Sequence, residues 1–369
     1  MWTMPESRSE QRMTANADAI VLVGGKGTRL RPLTLTAPKP MLPTAGVPFL
    51  THLLSRIRAA GMRHVVLGTS YQAEVFAEYF GDGSQLGLEM EYVVETEPLD
   101  TAGAIRNVAD RLRGEHAVVF NGDILSGTDP AALLNAHTDA DADVTLHLVK
   151  VADPSRFGSV PTDASGRVTA FLEKTPNPPT DQVNAGCYVF RRDVIESIPA
   201  GRPVSVERET FPGLLESGAT LHGFVDSSYW LDVGTPAAFV RGSADLVRGI
   251  APTHALPGEP GERLVLGGTS VSPEASVDGG TSVGVSASVE AGARVSGSVV
   301  FDGARIERDA VVEDSVVGRN ARVGAGTVLR GVVLGDDVQV GAGCELLDGA
   351  RLWPGVVLPD GGVRFSTDA

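Results

Sequence analysis

From residue 271 onward a single spacing governs the chain. Val271, Val277, Val283, Val289 and Val295 stand six apart, and the series continues as Val300, Ile306, Val312, Val317, Val323, Leu329, Leu334, Val340, Leu346, Leu352 and Leu358. Steps of five fall at 295→300, 312→317 and 329→334, which makes a 17-residue coil with three short sides. Alanine often stands two positions before the aliphatic, as at Ala275, Ala287, Ala293, Ala304, Ala310, Ala321 and Ala350. A large and a small residue then point inward from each side. One coil cannot bury that face alone, so successive coils must stack on one another.

This pattern resembles the hexapeptide left-handed parallel β-helix, a fold outside the right-handed crossover rule. It places a β-helix domain over 263–369. Cys344 falls at a small inward position, two before Leu346, and is read as core. The preceding stretch "IAPTHALPGEPGE", 250–262, is rich in Pro and Gly and reads as a linker.

The front of the chain has another texture. After a polar tail, 1–17, expected to be disordered, short apolar runs alternate with helical spacing. "AIVLV" (19–23), "HVVLGTS" (64–70), "MEYVVE" (90–95) and "HAVVFNGD" (116–123) read as strands, while "VPFLTHLLSRIRAAG" and "TAGAIRNVADRLRG" read as helices. Such alternation predicts a Rossmann-like α/β domain with a mixed, mostly parallel sheet over 18–249. Between 166 and 188, "GRVTAFLEKT" and "NAGCYVF" read as hairpin-like pieces, followed by a helix over "VERETFPGLLESG". Ligands of such sheets sit at the carboxyl ends of the strands, so the loops after Val23 and Asn121 are the places to look.

The loop after Val23 is chemically odd. "VLVGGKGTRLRPLTLTAPKPM" carries Lys26, Arg29, Arg31 and Lys39 and no acid, in a chain of formal net charge −15. No Asp or Glu occurs between Asp18 and Glu74. The overall acidity argues against a general nucleic-acid or membrane surface. The loop cannot be aligned with the phosphate loop G-x-x-x-x-G-K-[ST]. It also fails the dinucleotide fingerprint, since Leu30 stands where the third glycine belongs and no acid follows about twenty residues on. What remains is a strand end with close-approach glycines, exposed N–H groups, Arg29 and Lys39, which suits a polyphosphate. Lys39, between Pro38 and Pro40, is expected in an extended, rigid stretch.

"GGKGTRLRPLT…PKPM", "NGD", "FLEKT", "NAGCYVF" and "WLDVGTP", in this order, resemble the sugar-phosphate nucleotidyltransferases. With "SVERETFP" and the repeat, the resemblance narrows to the bacterial mannose-1-phosphate guanylyltransferase group. It implies transfer of a nucleotidyl group, from GTP to mannose 1-phosphate, by in-line attack on the α-phosphorus, giving GDP-mannose and pyrophosphate. A UTP- or dTTP-dependent glucose-1-phosphate enzyme is the alternative. The resemblance sets Leu22, Gly24, Gly25, Gly27, Thr28, Glu95 and Gly103 along the nucleotide, with Glu95 toward the base edge. It gives Arg29 and Lys39 to the phosphates, and Asp123 and Asp232 to Mg²⁺. Gly158, Glu173, Lys174 and Asn184 would face the sugar phosphate. Val23 departs from the small first residue of the family's turn, and Asp100 from a glycine; if that position needs φ > 0, Asp is among the better substitutes. Glu207 and Glu209 are sugar-side or helix-start acids.

Hexapeptide β-helices often carry acyl transfer, which uses a histidine. Here the last histidine, His254, precedes the repeat, so the β-helix is expected to serve structure or oligomerisation. A dead regulatory subunit is disfavoured, because Arg29, Lys39, Asp123 and Asp232 are all present. The polar front end lacks the apolar core of a signal peptide, no run of about 18 apolar residues exists, and two distant cysteines form no disulfide framework. The expectation is a cytoplasmic homo-oligomer.

Overall fold

The structure, a computed structural model, describes residues 16–70, 72–172, 174 and 176–364. Residues 1–15 of the expected tail and Glu173 lie outside the described residues. By contacts the chain forms two compact units that do not follow its linear order. One holds Met1–Gly25 and Leu53–Trp230; the other holds Lys26–His52 and Leu231–Ala369. The chain passes between them inside two of its motifs, at Gly25–Lys26 and at Trp230–Leu231.

The first unit is built on a seven-stranded sheet. Its strands are β1 (Asp18–Leu22), β2 (His64–Thr69), β3 (Glu89–Val94), β4 (His116–Asn121), β5 (Val144–Lys150), β6 (Gln182–Arg191) and β7 (Leu221–Asp226), in the spatial order β7-β5-β6-β4-β1-β2-β3. Only β6 runs antiparallel, to both β4 and β5. "NAGCYVF" is therefore a central strand and not a hairpin arm. Leu22 lies opposite Gly68 and Asn121, and Thr69 opposite Val94, so four parallel strands end together. Leu148 lies opposite Asn184, which brings the early part of β6 toward that same edge.

Beneath it, Ile20, Val66, Val119, Leu146, Tyr188, Phe190 and Phe211 form one buried core. Cys187 is buried in β6, and burial pushes its thiol up to about 12, which makes it inert at neutral pH. The helix expected over 101–114 stops early. It runs Asp100–Asn107 and continues as a 3₁₀ turn at Ala109–Arg111. "VERETFPGLLESG" begins as a π-turn, Val206–Thr210, before the α-helix Phe211–Glu216. Pro212 offers no N–H to the turn before it, so the regular ladder is interrupted there.

The second unit contains the β-helix. Its strands form three parallel sheets of six, six and five strands, the arrangement of a left-handed β-helix. Val300 pairs with Val317, Ile306 with Val323 and Val312 with Leu329, all 17 apart, while Val277–Val295 and Leu334–Leu352 are 18 apart. The aliphatics and Ala287, Ala293, Ala304, Ala310, Ala321 and Cys344 make one continuous interior, as the repeat demands. A hydroxyl ladder climbs inside it. Ser298 N–H donates to Thr281, Ser315 N–H to Ser298, and Val332 N–H to Ser315, each at 3.0–3.1 Å. Buried backbone donors at the corners are thereby satisfied. Against the β-helix lies the helix Pro236–Val247, whose Ser243 accepts from Ala45 N–H at 3.0 Å and meets Ser282 at 3.4 Å. The segment Lys26–His52, carrying the cationic loop, thus belongs to the same unit as the β-helix.

Candidate active site

The first unit gathers its polar groups where β1 to β4 end. Gly24 leaves β1 beside Ser70, whose hydroxyl donates to the Gly24 carbonyl. A Cβ on Gly24 would sit 3.0 Å from Ser70 Oγ and 3.9 Å from Glu95 Oε1, so hydroxyl, glycine and carboxylate form one patch. Glu95 is fixed by its own N–H, which donates to Thr69 O at 2.7 Å. Its carboxyl is half-buried, and burial raises its pKa, opposed by a backbone hydrogen bond at Leu99. Gly25 differs from its neighbours. Among the described residues a Cβ there would meet nothing, and its φ is outside the left-handed region, so none of them requires a glycine.

Gly122 of "NGD" has a packing reason. Its N–H donates to Leu22 O at 2.9 Å, and a Cβ would lie 2.5 Å from Val23 Cγ1. Val23, the departure noted in the sequence, is accommodated by the glycine facing it. Asp123 follows in the turn, half-buried. Gly103 also has an internal reason. Its N–H donates to Val204 O at 3.1 Å, and a Cβ would lie 2.8 Å from Arg202 O, so its backbone donor is already engaged. Asp100 takes φ = 57°, the conformation in which Asp substitutes best for glycine, and it accepts from Arg208 at 2.8 Å.

The sugar-side candidates meet around β6. Asn184 N–H donates to Gly158 O at 3.1 Å, tying two of them directly. The Asn184 amide donates to Tyr188 Oη at 2.8 Å, while its carbonyl accepts from Gly186 N–H. Burial, with Glu207 nearby, raises the Tyr188 phenol well above its ordinary value, so it stays a neutral hydrogen-bonding group. Leu172 pairs with Ser159 in both directions, and Lys174 follows two residues later, exposed. Glu209 pairs with Arg202 at 3.0 Å, and Glu207 accepts from Ser205 Oγ at 3.0 Å. Trp230 donates to Ala185 O and packs on Phe157, so it is a structural residue of this unit.

The second unit carries the cations. Gly27 has φ = 58° and caps the 3₁₀ turn Thr28–Leu30, with Thr34 Oγ1 donating to its carbonyl at 2.9 Å. A Cβ there would press within 3.0 Å of Thr34 and 3.1 Å of Lys39, so this glycine is required by the loop itself. Arg29 is exposed, and its guanidinium lies flat against Gly234, where a Cβ would come within 2.6 Å of Nη2. Gly234 stands two residues after Asp232, which is half-buried at the end of a short strand, Trp230–Asp232. Lys39 is buried. Instead of the extended stretch expected, it opens a 3₁₀ turn, Lys39–Met41, because Pro40 sits in the first turn and Pro38 alone stays extended.

Residues 18–249 match the family model described as "Nucleotidyl transferase", and residues 260–360 match "GMPPB C-terminal domain". The chain is 65% identical to "Mannose-1-phosphate guanylyltransferase" of Mycobacterium tuberculosis over 356 residues, covering 96% of this chain and 99% of that protein. The chain belongs to the nucleotidyl transferase family, among its mannose-1-phosphate guanylyltransferases. A protein of Drosophila pseudoobscura pseudoobscura, "Mannose-1-phosphate guanylyltransferase catalytic subunit beta", is 37% identical over 227 residues, 61% of either chain. Among solved structures, HddC from Yersinia pseudotuberculosis complexed with GMP-PN matches with TM-score 0.55 and 28% identity, over 62% of this chain and 99% of that one.

Several polar residues of this nucleotidyl transferase escaped the sequence reading. Ser70 is an ordinary strand-end serine, and Thr34 and Tyr188, though inside quoted stretches, carry no charge; the fold sets them against Gly24, Gly27 and Asn184. A cleft of about 720 Å³ opens at the amino-terminal edge of the sheet, lined by Arg113, His116, His137 and Arg191 among others. It lies at the opposite end from Gly24 and Glu95. Its cations are already paired, Arg113 with Glu89 and Arg191 with Asp193, so it is no rival for the polyphosphate.

Proposed function

We propose that the chain transfers GMP from GTP to mannose 1-phosphate, forming GDP-mannose and pyrophosphate. The observation that carries the nucleotide is Glu95, a half-buried carboxylate beside the first glycine of the loop. Guanine offers adjacent N1–H and N2–H₂ donors, which one carboxylate accepts as a charge-assisted pair. Uracil and thymine would set carbonyl oxygens against it. The mannose assignment is supported by the near-full-length Mycobacterium tuberculosis relative.

In this reading Leu22, Gly24 and Gly25 run along the nucleotide, and Gly25 lets the phosphates approach the backbone. Gly27 and Thr28 shape the turn that presents Arg29 to the β- and γ-phosphates. Lys39 offsets charge nearer the α-phosphorus. An oxygen of the sugar phosphate attacks that phosphorus in line, and pyrophosphate leaves against Arg29. The contribution of the protein is positioning and charge neutralisation. Gly158, Lys174 and Asn184 orient the sugar phosphate, with Lys174 on its phosphate.

Asp123 and Asp232 are the candidates for Mg²⁺. Both offer hard oxygen donors, which fits this ion. Among the described residues no three His, Cys, Asp or Glu cluster as a metal centre. When bound, it would neutralise phosphate charge. Among the described residues no helix is long and apolar enough to cross a membrane. A cytoplasmic homo-oligomer remains the proposed setting.

The test is product identity. With GTP, mannose 1-phosphate and Mg²⁺, GDP-mannose and pyrophosphate should form in equal amounts. Formation of GDP and phosphate, or no nucleotide sugar, would overturn the proposal.

A further inference from the structure

The second unit joins the β-helix to the cationic loop through Arg351 and through the pair Thr36–Asp336. Arg351, on the last strand of one β-helix sheet, donates through Nη1 to the carbonyls of both Arg29 and Arg31, each at 2.9 Å. One coil earlier, Asp336 accepts from Thr36 Oγ1 at 2.9 Å, and its other oxygen is held by Arg319 N–H at 2.9 Å. Of the two carbonyls gripped by Arg351, one is Arg29's own, inside the turn Thr28–Leu30, and the other belongs to Arg31, which closes it. The Arg29 side chain is limited at its far end by Gly234. Arg29 is thus fixed at its backbone by the β-helix and at its guanidinium by the "WLDVG" stretch.

We infer that Arg351 is a positioning residue for Arg29, and that the β-helix brace sets the geometry of the phosphate-binding turn. This rests on the reading of Arg29 as a phosphate ligand. A cationic fork on two carbonyls makes charge-assisted bonds, stronger than neutral ones. The loop carries four cations and no acid in its own sequence, so the bonds that Arg351 makes to its carbonyls and Asp336 to Thr36 come from outside it. An exposed turn without a brace would sample several conformations, and GTP binding would then carry the ordering cost. The β-helix is therefore part of the nucleotide site's support as well as a structural appendage. Removing residues after Gly258 would release the turn.

The test uses the full chain. Arg351 is exposed, so Arg351→Ala should fold with an unchanged melting temperature. We expect kcat/KM for GTP, and for pyrophosphate in the reverse direction, to fall about tenfold, with KM for mannose 1-phosphate unchanged. Arg351→Lys should recover part of the loss. The control is Arg330→Ala, a β-helix arginine whose partner is Glu313, and it should behave as wild type. Hydrogen exchange of the amides over 28–36 should quicken in Arg351→Ala without any substrate present, which separates failure of the brace from failure of the assigned reaction. Unchanged exchange overturns the brace. Faster exchange with unchanged GTP kinetics, or an equal loss for both substrates, overturns its role in positioning.

Discussion

Gly25 and Gly27 stand two residues apart, yet the structure gives them different reasons to be glycine. At Gly27 the reason is internal: φ = 58°, and a Cβ would press on Thr34 and Lys39. Left-handed backbone costs an ordinary residue about 1–2 kcal/mol, and the contacts at 3.0 and 3.1 Å add to it. Gly27→Ala should therefore lose about 2 kcal/mol, a melting shift of roughly 4–8 °C at about 2–4 °C per kcal/mol. At Gly25 the described residues give no such reason, since among them the added methyl meets nothing and φ is not left-handed. Gly25→Ala should be neutral or stabilising by about 0.4–1 kcal/mol, because it only restricts the unfolded chain. Its cost should appear with ligand: if phosphates pass over this backbone, the methyl stands in their way. KM for GTP should rise at least about tenfold, roughly 1.4 kcal/mol, with KM for mannose 1-phosphate unchanged. Calorimetry and steady-state pyrophosphate release on both variants decide the matter. Wild-type GTP kinetics in Gly25→Ala would show that the nucleotide does not approach the loop there.

Asp123→Asn and Asp232→Asn should each lower turnover at least about a hundredfold, on the order of 3 kcal/mol, with little change in melting; near-normal activity in either removes that residue from the metal site. Arg29→Lys keeps the charge and loses the planar fork, so kcat should fall; a silent variant would reduce the loop to a positive patch. Glu95→Gln should weaken GTP use about tenfold, roughly 1.4 kcal/mol, and narrow the preference over UTP; an unchanged ratio would place base reading elsewhere. His64 bridges Asp18 at 2.6 Å and Glu91 at 3.1 Å. Burial would lower its pKa, but the bonds to Asp18 and Glu91 outweigh it and raise the pKa above the ordinary 6.5. Burial likewise would raise Asp18, but His64 and the N–H groups of Gly114 and Arg113 hold it below 3.8. The His64 contribution is full below about pH 6.5 and is lost as pH rises through its raised value; that of Asp18 is lost only in acid, below its ordinary range. His64→Gln should cost about 1–3 kcal/mol near pH 6 and less at pH 9, measured by denaturant unfolding. A pH-independent difference would refute the charged bridge.

The repeat was the most legible part of the chain, because a β-helix interior is written locally: each aliphatic contacts the residues 17 or 18 away, and the spacing is the register. The first four strands and the loop at their ends were legible for a similar reason, as each is a short apolar run bounded by glycine or polar residues. β5 was not read, since Thr145 and His147 interrupt its apolar pattern. In the fold both are buried, with His147 meeting the Thr128 hydroxyl at 2.7 Å. β6 reads locally as a hairpin arm because its partners, β4 and β5, are separated from it in sequence and no local turn announces them. The charged motif residues were visible from their type. The groups that hold them, Ser70, Thr34 and above all Arg351, were not, because an ordinary hydroxyl or a surface arginine 320 residues away carries no local sign of its partner.

The most direct test of the account is a matrix of ATP, GTP, UTP and dTTP against glucose 1-phosphate and mannose 1-phosphate, read as kcat/KM from pyrophosphate release with the wild-type chain. A site built to hydrogen-bond one base edge rejects the others strongly, because its buried polar groups are then left unpaired. GTP with mannose 1-phosphate should exceed every other pair by about a hundredfold or more, roughly 2.7 kcal/mol. Comparable or faster turnover of UTP or dTTP with glucose 1-phosphate would contradict the reading of Glu95 and the assigned reaction together.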